Sequence, residues 1–324
     1  MPVEFQDLAR GQVVAEQDLM ALPNVVGVAL GEKSVGGVST GERAIVVLVD
    51  HKIDALSLPE SAAIPRAVLG MPTDVREVGV IRAPEPVEPL ATVQAVSLVG
   101  RQRPVRGGLS VGHPGITAGT IGAACYDAKP FPGRPDRYYI LSNNHVLANS
   151  NEAAVGDSIV QPGAFDGGTA DNDVIGKLVR FVPIKFTQEG TPEPPVNEVD
   201  AAIAEVDLAD LERAIHWVGR PTHSIIKAEI DLVVTKCGRT TGFTTGKIVN
   251  LNATVNVNYG PGKVARFVGQ LITTPMSAPG DSGSLMTTVD GGAVGLLFAG
   301  SAQATVVNPI EAVLRLLQIR VSDA

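Results

Sequence analysis

Short apolar runs, each followed by turn residues, are the feature that most restricts how this chain can fold. From Leu109 onward, runs such as 138–142, 201–206 and 293–298 are separated by glycine, proline, asparagine and aspartate. Strands of this length with turn signals between them are typical of a β-sandwich or a β-barrel. The 35 glycines and 23 prolines agree with this interpretation, because a turn-rich β protein uses such residues more than a helical bundle does.

The N-terminal quarter of the chain has a different pattern. It contains an amphipathic helix, weakened by Gly11 and ended by Pro23, and then three strands rich in valine and isoleucine. The next stretch is punctuated by prolines and ends in a basic cluster, which is typical of a linker. We therefore predict a small α+β domain over 1–83, a proline-rich linker over 84–108 and a mainly β domain over 109–324.

Two helices are predicted inside the mainly β domain. Residues 208–217 have the pattern of a single helical excursion. Residues 309–317 predict a closing helix with one apolar face, in which Asn308 is the candidate cap and Pro309 takes the first helical position.

Charge and composition exclude several classes of partner. The formal net charge is −8, so binding gains nothing from the release of phosphate counterions, and we expect no nucleic acid. The longest apolar runs are about ten residues, whereas a membrane helix needs about 20, so we expect no membrane partner. The chain begins without a secretory pattern and has only Cys125 and Cys237. Both observations favour a cytoplasmic protein with free thiols, and a disulfide between the two cysteines stays an open alternative.

The strongest local signal for chemistry is the sequence PGDSGS over residues 279–284. Ser282 lies there between an acid and a glycine, and glycines allow the sharp turn that leaves a hydroxyl and backbone N–H groups exposed. The N–H groups of Gly280 and Ser282 would then face the oxyanion of an acyl-transfer reaction.

A serine nucleophile needs a base, and histidine is the usual one. Of five histidines, His145 stands out because it follows a strand and begins a short helical turn in SNNHVLA. Asp200 opens an apolar strand, where a carboxylate is costly unless a hydrogen-bond partner such as an imidazole is present. Asp200 is therefore the candidate for orienting the histidine, and Asp173 is the runner-up.

Together these segments resemble the trypsin-like serine peptidases of the chymotrypsin fold, whose catalytic residues follow the same order of His, Asp and Ser. The similar segments are 143–146, which is most like the bacterial high-temperature-requirement proteases, 200–204, 236–242 and 280–283. The resemblance covers about residues 109–324. Ser284 departs from it, because the family usually has a second glycine there.

The resemblance implies a mainly β fold of two Greek-key β-barrels and the activity of a serine endopeptidase. It implies that Ser282 attacks the scissile carbonyl, that His145 accepts the serine proton and that Asp200 holds the imidazole tautomer. It assigns the oxyanion hole to the N–H groups of Gly280 and Ser282. It also implies an apolar specificity pocket formed by Met276, Phe298, Ala299 and Gly300.

A further implication concerns Asp281, which precedes the nucleophile. In digestive members of the family this aspartate pairs with a freed N-terminus. Here the sequence around Gly107 lacks the β-branched apolar residue that such a terminus would use for packing. We therefore expect Asp281 to pair with an internal donor or with a backbone N–H.

Two other functions stay open at this level. A catalytically silent binding module would keep the same fold, and a serine esterase would use the same residues. The α/β-hydrolases are disfavoured, because their order is Ser, acid, His. The sequence has no phosphate-binding loop, dinucleotide fingerprint or metal-ligand cluster, so we expect no cofactor and no metal. The expected partner is a protein or peptide substrate, and the sequence leaves a homo-oligomer open.

Overall fold

The structure is a computed structural model that describes residues 5–54, 57–83, 97–128, 135–188 and 193–323. The helices in these residues are α1 (Phe5–Ala21), α2 (Asn144–Leu147) and α3 (Ile310–Leu317). The strands are β1 (Val25–Val35), β2 (Val38–Val49), β3 (Ala67–Val68), β4 (Met71–Glu77), β5 (Val105–Gly107), β6 (Ser110–Val111), β7 (Gly119–Thr120), β8 (Ala123–Asp127), β9 (Tyr138–Ser142), β10 (Ser158–Val160), β11 (Val174–Phe181), β12 (Val196–Asn197), β13 (Ala202–Val206), β14 (Leu211–Ile215), β15 (Val233–Gly238), β16 (Gly242–Asn258), β17 (Val264–Thr273), β18 (Leu285–Thr288), β19 (Ala293–Gly300), β20 (Thr305–Pro309) and β21 (Ile319–Arg320).

The N-terminal unit is a hairpin of β1 and β2 with α1 packed on one face. β4 continues this sheet as a parallel neighbour of β2, and β3 pairs with β4. Leu30 and Ile45 pack against α1, whereas Ala29 and Val46 face the opposite way, into a cluster shared with the second barrel. Both faces of the hairpin are therefore covered. This explains why residues 44–49 form a continuous apolar run rather than an alternating one.

α1 continues through Gly11, where the sequence pattern is weakest. The Met71 side chain packs against the helix at this point, and a Cβ on residue 11 would lie 1.8 Å from Met71 Cε. The glycine therefore lets the helix approach β4 closely.

The first barrel contains β8, β9, β13, β11 and β10, hydrogen-bonded in that order. The β6–β7 hairpin closes it, because Gly112 bridges to Val160 on β10, and the Gly122 N–H donates to the Leu141 carbonyl on β9. The interior is filled by aliphatic side chains of these strands, and α3 packs its apolar face on the same core.

The second barrel is a closed ring of six antiparallel strands. β15, β16, β17, β20, β19 and β18 pair in that order, and β18 pairs again with β15. The mainly β fold with two barrels, a small N-terminal α+β unit and a C-terminal helix agrees with the prediction from the sequence.

The long strand β16 joins the second barrel to the N-terminal unit. Its middle pairs antiparallel with β1, and register shifts along β16 let one strand serve both sheets. Of the predicted linker, residues 84–96 lie outside the described residues. The described part packs on the first barrel, with Leu98 and Val105 buried in its core. The domain boundaries drawn from the sequence stay predictions.

Two details differ from the sequence-based predictions. Residues 208–217 are not a helix: a single turn over 208–210 leads into β14, which pairs in parallel with β5 and buries Leu211 and Ile215. Asn308 does not cap α3. Its side chain is buried and hydrogen-bonded to Asp200 and Leu296, and Pro309 takes the cap position. In both cases a tertiary contact outweighs the local preference.

The two cysteines, Cys125 and Cys237, are buried and free. Burial raises the pKa of the Cys237 thiol to about 12 and raises the pKa of the Cys125 thiol as well. Among the helices that the structure describes, none has the length and apolar character needed to cross a membrane.

Candidate active site

His145 is held at the end of β9 by the two asparagines that precede it. Asn143 forms the N-terminal boundary of α2, and its Nδ2 donates to the Asp200 carbonyl at 2.7 Å. Asn144 Nδ2 donates to the Val182 carbonyl, also at 2.7 Å. Both asparagines are fully buried, so these bonds fix the backbone from which the imidazole projects.

Asp200 lies directly beside this histidine. It lies two residues before β13, the neighbour of β9, and its side chain is fully buried. Asp200 Oδ2 is 2.5 Å from His145 Nδ1, and Oδ1 accepts the His145 backbone N–H at 3.2 Å. Asn308 holds the Asp200 backbone by accepting its N–H and donating to its carbonyl. The structure therefore brings together the base and the acid that the sequence proposes.

Tyr259 is a third member of this group, and the sequence analysis did not find it. Its hydroxyl donates to Asp200 Oδ2 at 2.8 Å, and its ring lies edge-on to the His145 imidazole, 5.8 Å between centroids. Phe186 and Phe267 contact the same ring. Burial and the neighbouring Asp200 charge raise the pKa of Tyr259 well above its usual value, so the phenol keeps its proton. No local motif marks a tyrosine in the turn between β16 and β17.

Ser282 sits in a tight loop between β17 and β18 that glycines make possible. Gly280 and Gly283 have φ values of 98° and 95°, in the left-handed region. A Cβ on Gly283 would lie 2.1 Å from Ser142 Oγ and 2.3 Å from the Thr120 carbonyl oxygen, so a larger residue would push the loop away from the first barrel. The Thr120 N–H in turn donates to the Ser282 carbonyl at 2.7 Å.

A buried ion pair anchors the same loop. Lys236 Nζ on β15 donates to Asp281 Oδ2 at 2.9 Å, and neither side chain is exposed. The Thr240, Thr241 and Ala278 N–H groups also donate to this carboxylate. Asp281 thus pairs with an internal donor, as the sequence analysis expected. Ser284, where the resemblance departs from the family, donates its hydroxyl to the Asp281 carbonyl at 2.6 Å.

Gly119 on β7 lies between the segment that carries His145 and the loop that carries Ser282. A Cβ on Gly119 would lie 2.4 Å from Val146, the residue after His145, and 3.0 Å from the Ser282 carbonyl oxygen. Within the described ranges, the Ser282 hydroxyl makes no hydrogen bond. The N–H groups of Gly280 and Ser282 also have no acceptor among the described residues. The loop thus carries a hydroxyl and two N–H donors that the surrounding fold does not use.

Two cavities contain these residues. The first, of about 630 Å³, is lined by Ser282 together with Ala278, Pro279 and Leu297 from the second barrel. The second, of about 370 Å³, contains His145 and Tyr259.

Of the four predicted pocket residues, two line the cavity that contains Ser282 and two do not. Ala299 and Gly300 line the cavity beside Ser282. Met276 and Phe298 do not line this cavity, and their part in a specificity pocket stays a prediction. Met276 is buried in one cluster of the second barrel, and Phe298 stacks on Phe267 in another, 4.7 Å between ring centroids.

The runner-up acid and the other histidines are engaged elsewhere. Asp173 accepts the Thr169 N–H at 2.9 Å and pairs with Arg101 at 3.1 Å, and these contacts lower its pKa. The other histidine contacts are His51 with Asp50, His113 with Asp157, His216 with Gln102, and His223 with Thr222. In the part of the chain that the structure describes, no group of three or more His, Cys, Asp or Glu side chains is arranged to hold a metal.

The described residues form two β-barrels, with a histidine and an aspartate on the first and a glycine-flanked serine on the second. Similar solved structures include Protease A of Thermobifida fusca (17% identity, TM-score 0.46), the Nocardiopsis protease NAPase (21%, 0.47) and the chymotrypsin of Cellulomonas bogoriensis (19%, 0.44). Each match covers 67% of this chain and 97% of the other protein. Neither a protein-family model nor a curated protein sequence matches the chain.

Proposed function

We propose that this chain is a serine-type peptidase that hydrolyses peptide bonds through an acyl-enzyme intermediate. The observation that carries the proposal is the buried Asp200 carboxylate, 2.5 Å from His145 Nδ1, on the barrel that faces the Ser282 loop. A fully buried carboxylate is costly unless it is hydrogen-bonded, and this one accepts from an imidazole, a phenol and a backbone N–H. Such an arrangement suits an imidazole that must be charged transiently.

The proposed proton transfers follow from which imidazole nitrogen is engaged. Nδ1 faces Asp200, which leaves Nε2 to accept the proton of Ser282 Oγ as the hydroxyl attacks the substrate carbonyl. The same nitrogen then gives this proton to the leaving group, and a second cycle with water releases the acyl group. Asp200 stabilises the imidazolium between these steps.

The oxyanion would be stabilised by the nucleophile loop. Gly280 and Ser282 carry N–H groups that the described residues leave without an acceptor, and the buried Lys236–Asp281 pair fixes the backbone between them. Donors that are fixed before the reaction stabilise developing charge without reorganising, and removing one typically costs 10²–10³-fold in turnover.

The test is labelling of the full-length chain with a fluorophosphonate, read by mass spectrometry, together with hydrolysis of a peptide library. Wild-type protein should become labelled on Ser282 and should cleave peptides. Ser282→Ala should lose both properties while keeping its melting temperature, since the hydroxyl makes no hydrogen bond to the described residues and its removal leaves none of them unpaired. His145→Ala should remain folded and label far more slowly.

The outcomes separate the alternatives. Failure of wild-type Ser282 to label would overturn the enzyme proposal and leave a binding module of the same fold. Labelling with ester hydrolysis but no peptide hydrolysis would identify an esterase that uses the same residues.

A further inference from the structure

A segment of the N-terminal unit lies between the two cavities of the proposed active site. It is formed by Gly79, Val80, Ile81, Arg82 and Ala83, and we call it the 79–83 segment. Gly79, Val80 and Arg82 line the cavity that contains Ser282. Ala83 lines the cavity that contains His145. The segment therefore contributes to the walls on both sides of the reacting groups.

The backbone of the 79–83 segment is hydrogen-bonded on both sides. The Arg82 N–H donates to the Gly300 carbonyl at 3.0 Å, and the Gly300 N–H donates back to Arg82 at 2.9 Å. On the other side, the Ala83 N–H donates to Asn258, and the Asn258 N–H donates to Ile81, both at 3.1 Å. The segment thus fills the gap between the end of β19 and the end of β16.

The direction of the segment matches that of a bound peptide. It runs antiparallel to β19, so the chain passes from Gly300 back toward Ala299 and Leu297. Leu297 lies against the nucleophile loop, because its carbonyl accepts the Gly283 N–H at 2.8 Å. An extended peptide whose scissile carbonyl lay at Ser282 would pair with this edge of β19 by adding a strand to it. The 79–83 segment already occupies the Gly300 end of that edge.

The segment is anchored rather than loosely docked. Val78 and Ile81 are each 1% exposed and belong to the core cluster that also contains Phe267 and Phe298. The Ser301 hydroxyl donates to the Val78 carbonyl. Displacing the segment would expose two core side chains and break four backbone hydrogen bonds, both of which oppose its exchange for a substrate strand.

We propose that the 79–83 segment limits the substrate to acyl groups of no more than about two residues before the scissile bond. This length assumes an extended substrate with a rise of about 3.3 Å per residue. The inference rests on the proposed function and narrows it. Gly300 lies three residues beyond Leu297, about 10 Å along the strand, and a longer acyl side would collide with Ala83 and Arg82 before it passed that level. The substrates are therefore peptides cleaved within about two residues of their N-terminus, and short N-acyl amino-acid esters and amides, rather than interior bonds of an extended chain.

The test is a series of p-nitrophenyl esters of N-acetyl-leucine with zero, one, two or three alanines inserted before the leucine. We expect kcat/KM of the wild-type chain to be highest for the shortest substrates. For the longest ester, kcat/KM should be lower by about tenfold or more. This is the effect expected when a substrate loses one to two hydrogen bonds of ordinary strength. Arg82→Pro, which removes the N–H bonded to Gly300, should relax this preference. Arg82→Ala keeps the backbone pairing and should preserve it.

The result that overturns the inference is a kcat/KM that rises steadily with acyl length in wild type, as an open cleft would give. Cleavage of the long esters after a lag would also overturn it, because the segment would then be displaced by substrate. If Arg82→Pro does not fold, the series on wild type and Arg82→Ala still decides the question. Absence of hydrolysis with every ester, together with unlabelled Ser282, would instead mean that the proposed function has failed.

Discussion

At the scale of single residues, Asp200 is the group on which the site depends. Its carboxylate is fully buried and has three donors: the His145 ring, the His145 N–H and the Tyr259 hydroxyl. A buried carboxylate is costly unless it is hydrogen-bonded, and these three donors offset that cost.

Asp200→Asn should lower turnover by roughly 10⁴-fold, because an amide no longer holds the imidazole in the tautomer that accepts the serine proton. The measurement is kcat on the best substrate of the ester series. Asp173→Asn is the matched control, since Asp173 pairs with Arg101 and has no contact with His145. A large loss of turnover in Asp173→Asn, with Asp200→Asn unaffected, would show that the acid has been assigned to the wrong residue.

Tyr259→Phe should lower kcat by about 10- to 100-fold with little change in KM, because one hydrogen bond to a charged group is lost while the ring is kept. Tyr139→Phe removes a comparable bond, from a tyrosine hydroxyl to Asp127 at 3.0 Å, away from His145. Tyr139→Phe should therefore leave kcat unchanged. Equal effects of the two substitutions on kcat would argue that Tyr259 acts only through stability.

At the scale of elements, β15 is joined to the loop that carries Ser282 by an ion pair. Lys236 on this strand meets Asp281 in the loop, and both are inaccessible to solvent. Replacing both members of a buried ion pair by apolar side chains often leaves the free energy of unfolding unchanged. Removing only one member lowers it, because the other charge then stays buried without a partner. The loop that presents Ser282 is therefore coupled to a strand of the barrel through an ion pair.

Lys236→Met should lower the free energy of unfolding by about 3–5 kcal/mol, because Asp281 would remain buried without its cation. Turnover should fall as well, since the loop loses its anchor. Lys247→Met is the control on the adjacent strand: Lys247 and Asp231 are 3.9 Å apart and mostly exposed, and this change should stay within about 0.5 kcal/mol. Urea unfolding of both variants measures the difference, and equal losses would contradict the role given to Lys236.

At the scale of the whole molecule, the N-terminal unit and the second barrel share one sheet. β1 pairs with β16, and the chain then leaves β4 to enter the cleft as the 79–83 segment. The N-terminal unit therefore extends the sheet of the barrel and also forms part of the wall of the cavity that contains Ser282.

The whole fold should lose stability at alkaline pH. Burial raises the pKa values of Tyr126, Tyr139 and Cys237 to about 12, from ordinary values of 10.0 for tyrosine and 9.0 for cysteine. The folded state thus keeps protons that the unfolded state releases, so this contribution is complete below about pH 9 and is lost as the pH rises toward 12. Urea unfolding followed by circular dichroism at pH 8 and pH 11 should show the decrease. A Tyr126→Phe, Tyr139→Phe double variant should show a smaller one, and a curve independent of pH would refute the argument.

The sequence by itself determined the elements and the reactive side chains. Alternation of short apolar runs with turn residues specifies a mainly β chain, and a histidine after β9, an acid before β13 and a serine between glycines are local patterns. The closing helix is predicted for the same reason, by its apolar periodicity. The predicted helix over 208–217 is wrong, because this segment contains β14, which pairs with β5. That pairing joins segments about 100 residues apart, and no local sequence pattern indicates it.

Only the tertiary structure decided which groups meet. Tyr259 reaches Asp200 from a turn 59 residues away, and Lys236 reaches Asp281 across 45 residues. The 79–83 segment enters the cleft because Val78 and Ile81 pack into the second barrel, a contact between parts of the chain far apart in sequence. Such contacts are fixed by the packing of a whole core, whereas the spacing of residues along the chain reflects only the periodicity of one element at a time.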